Sequence, residues 1–542
     1  MQLNASLRSL LSRLQIHLAV HMINRARSLR DIQRFALRRH AQQSALVTPS
    51  VRLSYRDLDD RTLRLAAAWR MHGVIKGARV MTLLSDEWQQ VVLRFAAIET
   101  GVSLVTFNAA HSSAMILAAV EHLRPALIVI GSDLERPEFA VLRAKLGVER
   151  VWTTGPNGDL ETAMAATPPS ASQESISRDD VLAFGFTSGT TGPPKLLAMN
   201  HAPFLHSLRL LLLNLTDPLR GRSRALVGIP LIGAGSGLIL PTMLGGGMLI
   251  LPRAYTVDAL IEVMRAERPT HVFTTPSLLI DLLDHPDLRA EDVASVRQYI
   301  YGSASMPVAK IREAIARFGA IFQQGYGMAE AMPPIAMLPP RDHVDDGLAP
   351  ELSALSSSGH VAQGVDVQVR DEQGNAVLPT SARGRIWIRT PTGFEGYPDL
   401  PELNREVLRE GWYFTGDFGY FDANGRLHVL DRRQNLIERP EGRIYPRMVE
   451  ERAHECAHVK EAALVEVRNQ TCLCVSRRRR SRSLDAGTIE RELRAHLAAT
   501  LPAWQQPECV VVMDELPRSF LAKLLHREVR ALLEAAAVEG GA

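Results

Sequence analysis

Along the first third of the chain, two kinds of apolar pattern alternate. Residues 58–71 and 89–101 place apolar side chains at helical spacing, whereas 78–84 and 126–131 run apolar almost without a break, the latter ending at Gly131. Buried strands separated by amphipathic helices predict an α/β architecture with largely parallel sheets, since crossover helices cover both sheet faces. Residues 154–176, rich in Pro, Ser, Thr, Ala and Gly, read as a loop or linker. A second alternating block follows, with strands expected at 225–229, 247–251, 271–274 and 296–300.

After Gly359 the pattern changes. Residues 365–370 and 384–389 alternate with a period of two, as antiparallel strands with one solvated face do. Residues 421–426 read as a hairpin whose Asn424-Gly425 pair supplies the positive φ angles of a tight turn. From residue 449 a helix, a strand and a helix recur, enough for a small separate α+β domain.

Composition narrows the class. A chain of 542 residues, 46% hydrophobic and 22% charged, has the balance of ordinary globular domains and the length of two to four units. Its formal charge of +3 does not imply nucleic acid as a partner. Cys456, Cys472, Cys474 and Cys509 have the spacing of neither a disulfide framework nor a zinc knuckle, so a reducing, cytoplasmic setting is expected. No apolar run reaches the roughly 18 residues that a membrane helix needs. Residues 1–30 carry Arg8, Arg13, Arg25, Arg27 and Arg30 without an acid, with Leu7, Leu10, Leu11, Leu14 and Leu18 on one helical face. They are expected to form an N-terminal helix packed on the main body; a peripheral membrane contact is the alternative. His17 and His21 interrupt any signal-peptide core.

The strongest chemical signal is the run from Phe186 to Lys195. Gly189 and Gly192 let the backbone approach a polyanion, Thr187, Ser188, Thr190 and Thr191 offer hydroxyls, and Lys195 adds a cation. It is not a Walker A loop, because Pro194 precedes the lysine and Leu196 follows it.

With this run the chain resembles the acyl-activating, adenylate-forming superfamily of acyl-CoA synthetases, peptide-synthetase adenylation domains and luciferases. The likeness covers roughly residues 30–535, with landmarks in the family's order. Gly302, Ser303 and Ala304 are similar to its adenine-contacting segment. Gln324, Gly325, Tyr326, Gly327, Met328, Ala329 and Glu330 resemble its aromatic-stacking and metal-contact motif. Residues 412–417, 431–437 and 516–523 resemble its ribose motif, its hinge and its catalytic-lysine segment. The resemblance implies a large N-terminal domain of stacked α/β subdomains plus a distorted β-barrel, and a small mobile α+β C-terminal domain. Its expected bounds are 1–30 for the N-terminal helix, 31–432 for the adenylation domain and 433–542 for the small domain. It further implies ATP as cosubstrate, Mg²⁺ on Glu330, ribose contacts from Asp417, a ribose or phosphate contact from Arg432, and catalytic roles for Thr187, Glu330 and Lys523. In the implied reaction a carboxylate attacks the α-phosphorus of ATP, pyrophosphate leaves, and the small domain turns about Gln434 to admit a thiol, CoA being expected.

Departures mark where these implications thin out. Leu196, Ala329, Gln434 and Ala522 stand where the family usually has Gly, Thr, Asp or Lys, and Gly. The loop that lines the pantetheine tunnel aligns with Arg439-Pro440-Glu441-Gly442, where proline fixes φ and Glu441 adds bulk and charge. The acceptor therefore stays open among CoA, a carrier protein and an amine, and a non-catalytic homologue acting as a binding protein is the reading from another class. Gly233 and Gly235 with Tyr301 and Met306 are expected to line the acid pocket. No aspartate there pairs an ammonium, so the acid is expected to be apolar, fatty or aromatic. Arg477 to Arg480 read as a solvated loop, with CoA phosphates or an acidic carrier as the alternative ligand.

Overall fold

The computed structural model describes residues 5–85, 88–108, 111–134, 150–187, 195–391, 394–397, 399–519 and 522–539, without the side chains of 5–14, Thr187 and 537–539. Two large sheets form the body. One has six strands in the order Val151–Thr153, Leu127–Ile130, Arg79–Leu83, Ser103–Phe107, Val181–Thr187 and Lys195–Asn200. All neighbours are parallel except the last pair, Val181–Thr187 and Lys195–Asn200. The other has nine strands, and its parallel centre runs Phe322–Tyr326, Gln298–Gly302, His271–Thr274, Arg224–Val227, Met248–Ile250 and Ser44–Val47. Trp69, Phe95, Leu104, Leu205, Val227 and Leu249 belong to one continuous core shared by both sheets. The helix Tyr55–Met71 that covers them starts at a reciprocal cap: Ser54 Oγ accepts from Asp57 N–H at 3.1 Å, and Asp57 Oδ2 accepts from Ser54 N–H at 2.9 Å.

The period-two segments form an antiparallel half-barrel of Asp366–Arg370, Gly384–Arg389, Trp412–Phe421, Leu408–Arg409 and Leu427–Arg432. Beyond it, Val459–Val467, Gln470–Arg477 and Cys509–Met513 make a three-stranded sheet flanked by the helices Pro446–Glu455, Ala486–Thr500 and His526–Glu539. The α/β class, the barrel-like sheet and the small α+β domain are as expected.

Four expectations need correction. Residues 154–176 are not all loop: Asp159–Ala166 is a helix of good helix formers that buries Leu160 and Met164, one turn apart. In the turn after Phe421 only Gly425 takes positive φ; Asn424 stays out of the left-handed region because Asp422 Oδ1 already accepts its N–H at 2.9 Å. The N-terminal helix Ala5–Arg25 meets the body through Met22 and Ile23, and Leu18 of the leucine face is 61% exposed instead of packed. Arg178 secures that end by donating to the carbonyls of Ile23, Asn24 and Ala26 at 2.8–3.0 Å. The other four leucines lie outside the described side chains. Finally, Arg478 is not solvated: it is 4% exposed and paired with Asp284 and Glu313 of the large domain. No helix among the described residues is long and apolar enough to cross a membrane.

Candidate active site

The site grows from the C-terminal ends of two adjacent parallel strands, Gln298–Gly302 and Phe322–Tyr326, where an open α/β sheet offers its crevice. Gly302 lies opposite Gly325, and a Cβ on Gly302 would stand 2.5 Å from the Gly325 carbonyl oxygen, so glycine is what lets the strands close here. The chain then turns through Ser303 in the left-handed region, φ 71°, a conformation that costs a non-glycine residue and over-determines the loop. At Gly327 any side chain would run into Pro333.

Tyr326 reaches from its strand to the half-barrel and donates its phenolic proton to Asp417 Oδ2 at 2.5 Å. On the other carboxylate oxygen Arg432 Nε stands 3.4 Å from Oδ1. Asp417 and Arg432 are register partners across the antiparallel strands, which is why residues fifteen apart share one edge. Asp417 is 4% exposed, and burial pulls its carboxyl up while Arg432 and Tyr326 pull it down. Burial also drives the Tyr326 phenol well above its usual range, reinforced by the Asp417 charge, so it remains a donor.

Glu330 receives the phenolic hydrogen bond of Tyr397 at 2.8 Å, and Lys195 Nζ lies 5.1 Å above the Tyr397 ring. Tyr413 stands 3.5 Å from the Tyr397 hydroxyl. With Tyr413 and Ala331, Glu330 lines a cleft of about 530 Å³. Lys523 enters from the small domain, half-buried. Its ammonium is depressed to about 8, by burial first and by the Arg432 cation second, with Glu330 opposing. Lys195, Glu330, Tyr326, Asp417, Arg432 and Lys523, which are far apart in sequence, thus surround one region where the two domains meet.

Lys523 is tied to Ser519 by two hydrogen bonds. Ser519 N–H donates to the Lys523 carbonyl at 2.7 Å, and Lys523 N–H donates to Ser519 Oγ at 3.2 Å. Ala522 is held at φ 55°, in the left-handed region that glycine adopts without strain. At the domain junction Asp431 organises the chain, accepting from Asn435 Nδ2 at 2.9 Å and Arg447 N–H at 3.0 Å.

Not every expected site residue converges. Tyr301 and Met306 are fully buried in the core on the far side of the strand, where Tyr301 Oη contacts His343 Nε2 at 2.9 Å and donates to Gln324 Oε1 at 3.2 Å. Side chains alternate along a strand, so Ile300 instead shares a cluster with Leu238, while Gln324 turns inward with Tyr301. Met328 packs on the half-barrel core, Ala329 is exposed and Ala304 half-exposed. Gly233 opens a short helical turn at φ 62° with no atom within 4 Å of where its Cβ would be; Gly235 is there because a side chain would strike the Pro230 carbonyl. Thr187 ends its strand opposite Lys195, but its side chain and all of Ser188, Gly189, Thr190, Thr191 and Gly192 lie outside the described residues. Sequence reasoning missed Tyr397 and Tyr413, because an aromatic pair that bridges a loop and a strand leaves no periodic signal.

The donor set suits Mg²⁺ as a ligand shared with phosphate. Among the described residues no group of three or more candidate metal ligands exists, and Glu330 shares its cleft with the carboxylates of Glu395 and Glu410. Mg²⁺ is commonly held by one or two carboxylates plus substrate phosphates.

Comparison with known proteins bears on this geometry. Residues 32–398 match the family described as AMP-binding enzyme. A feruloyl-CoA synthase of Amycolatopsis sp. is 31% identical over 482 residues, covering 88% of this chain and 93% of its own. A medium/long-chain-fatty-acid–CoA ligase of Mycobacterium tuberculosis is 27% identical, covering 92% and 88%. An amide bond synthetase from Marinactinospora thermotolerans superposes with a TM-score of 0.80 at 28% identity, covering 93% of this chain and 99% of that one.

Proposed function

The chain belongs to the AMP-binding enzyme family and is an ATP-dependent, AMP-forming acid–CoA ligase, and from that premise we propose that it activates an apolar aromatic acid at the Tyr326–Asp417–Lys523 site and passes the acyl group to CoA. The observation that carries the site assignment is the convergence of Tyr326, Asp417, Arg432, Glu330 and Lys523 where the two domains meet.

In the first half-reaction an oxygen of the acid's carboxylate attacks the α-phosphorus. The bond from that phosphorus to the bridging oxygen of pyrophosphate breaks, leaving acyl-AMP. Two anions must approach one another, so fixed cations contribute most. Lys523 bridges the incoming carboxylate and the α-phosphate. Asp417 accepts the ribose hydroxyls, its orientation held by Tyr326 and Arg432. Tyr397 fixes Glu330, the residue that would hold Mg²⁺, whose contribution when bound is to neutralise the phosphate charge. In the second half-reaction the thiol sulfur bonds to the acyl carbon, the bond from that carbon to the AMP oxygen breaks, and the thiol proton passes to solvent.

For the acid, support comes from the feruloyl-CoA synthase relative and from open space: no atom lies within 4 Å of a Cβ at Gly233, Gly237 or Gly325. The apolar neighbours of that turn, Ala234, Leu238 and Ile300, suit a ring and offer no charge. Incubating the protein with ATP, Mg²⁺, CoA and single acids from a hydroxycinnamate, benzoate and fatty-acid panel should give aryl-CoA and AMP. Fatty acyl-CoA alone would overturn the aromatic assignment. An amine acceptor has one observation in its favour, the Pro440-Glu441 tip between the paired strands Ile437–Arg439 and Gly442–Ile444. AMP release with amines but not with CoA would establish that reading instead.

A further inference from the structure

The helix Pro276–Leu283 of the large domain ends in two acids, and both are taken by arginines of the small domain. Asp284 pairs with Arg478 at 3.1 Å. Asp281 is the more consequential, because its partner belongs to the segment that carries Lys523. Arg518 grips Asp281 with two parallel hydrogen bonds, NH1 to Oδ2 at 2.6 Å and NH2 to Oδ1 at 3.1 Å. The same guanidinium donates Nε and NH2 to Glu461 Oε2 at 3.0 and 2.5 Å, and Lys460 Nζ adds 2.7 Å to Asp281 Oδ1. All four side chains are at most 21% exposed.

Arg518 and Ser519 are tied directly to the residues around Lys523. Arg518 pairs with Leu524 in an isolated antiparallel bridge, and Ser519 is tied to Lys523 through both its backbone and its hydroxyl. A shift of the Arg518 guanidinium therefore moves the base of the Lys523 side chain. Within the small domain Glu461 alone would hold Arg518, but it would not fix where that domain places Lys523 relative to Arg432 and Glu330. Asp281 supplies such a reference from the large domain directly at the segment that carries Lys523.

We propose that Asp281 is a positioning residue for adenylation: by clamping Arg518 it sets Lys523 over the nucleotide site. The inference rests on the acid-activation reading above. It makes the two half-reactions separable, because attack of a thiol on the acyl carbon brings no second anion to the α-phosphate and does not need Lys523 there.

The test is D281N. Carboxylate-dependent exchange of pyrophosphate into ATP should fall in kcat by about 10- to 100-fold, the scale set by misplacing a catalytic group by about an ångström. KM for ATP should stay within about two-fold, since Asp417 and Tyr326 are untouched. Conversion of chemically prepared acyl-AMP and CoA should proceed at the wild-type rate or faster, and D281E should restore most of the exchange. Exchange at the wild-type rate, or equal losses in both half-reactions, would overturn the proposal. Amine labelling of Lys523 followed by mass spectrometry is a second reading that needs no turnover. It should be faster in D281N, and an unchanged rate also overturns the clamp. A wild-type protein without exchange refutes the functional reading, while the labelling comparison still decides the clamp.

Discussion

Tyr326 and Asp417 are joined by a 2.5 Å hydrogen bond that links the large parallel sheet to the half-barrel. One side chain comes from a strand end and the other from the middle of a long antiparallel strand. Their contact gives the carboxylate proposed to bind ribose a fixed direction. Replacing Tyr326 with Phe removes one charge-assisted hydrogen bond, worth about 1.5–3 kcal/mol, and should raise KM for ATP about ten-fold or more with kcat changed little. Asp417→Asn loses the carboxylate itself and should raise it further. Initial-rate kinetics at varied ATP check both; an unchanged KM in Y326F contradicts the role assigned to the pair.

The role proposed for Lys523 is that of a cation, and its ammonium is lowered to about 8 by burial and by Arg432. The charged form therefore dominates below that pH and is lost above it, so adenylation measured as kcat/KM for ATP should be level near neutrality and fall as pH rises through 8. Arginine keeps its proton throughout this range. A Lys523→Arg variant, slower overall, should lack the alkaline limb. The same limb in both proteins would assign it to another group.

Ala522 is strained at φ 55°, where a side chain costs about 1–2 kcal/mol. Glycine recovers part of that, offset by the greater freedom of an unfolded glycine. Ala522→Gly should stabilise the small domain by about 0.5–1 kcal/mol, read from denaturant unfolding, without slowing adenylation. Destabilisation would show that the turn tolerates alanine at no cost.

How far the sequence reveals this molecule depends on the range of the interactions. The strand His271–Thr274 and the strand Gly384–Arg389 fall where apolar runs and period-two alternation place them, since those patterns are local. The motif residues Tyr326, Asp417 and Arg432 were legible because their order and spacing resemble those of a known family. What stayed hidden was side-chain direction and domain docking. Tyr301 and Met306 point to the wrong face of their segment for a pocket, and one residue of register decides that. Arg478 looks like part of a solvated basic run until Glu313 and Asp284, more than 160 residues away, arrive beside it.

Gly302 has no tolerance for a side chain, because its Cβ would stand 2.5 Å from the Gly325 carbonyl oxygen. Both strands are interior to the nine-stranded sheet, so the backbone cannot yield cheaply. Gly302→Ala should destabilise the large domain by about 1–3 kcal/mol, as overpacking does, and weaken ATP binding by displacing Ser303. Thermal unfolding and equilibrium ATP binding check this; wild-type values in both would mean the strands separate freely.

The central claim is that separated residues assemble one site for acid activation, with Lys523 supplying the decisive cation. Carboxylate-dependent exchange of labelled pyrophosphate into ATP measures that step alone. Wild-type protein should exchange only when an aromatic acid is present, and Lys523→Ala should lose at least about 100-fold while still binding ATP. No exchange with any acid, or exchange undiminished in Lys523→Ala, would contradict the account.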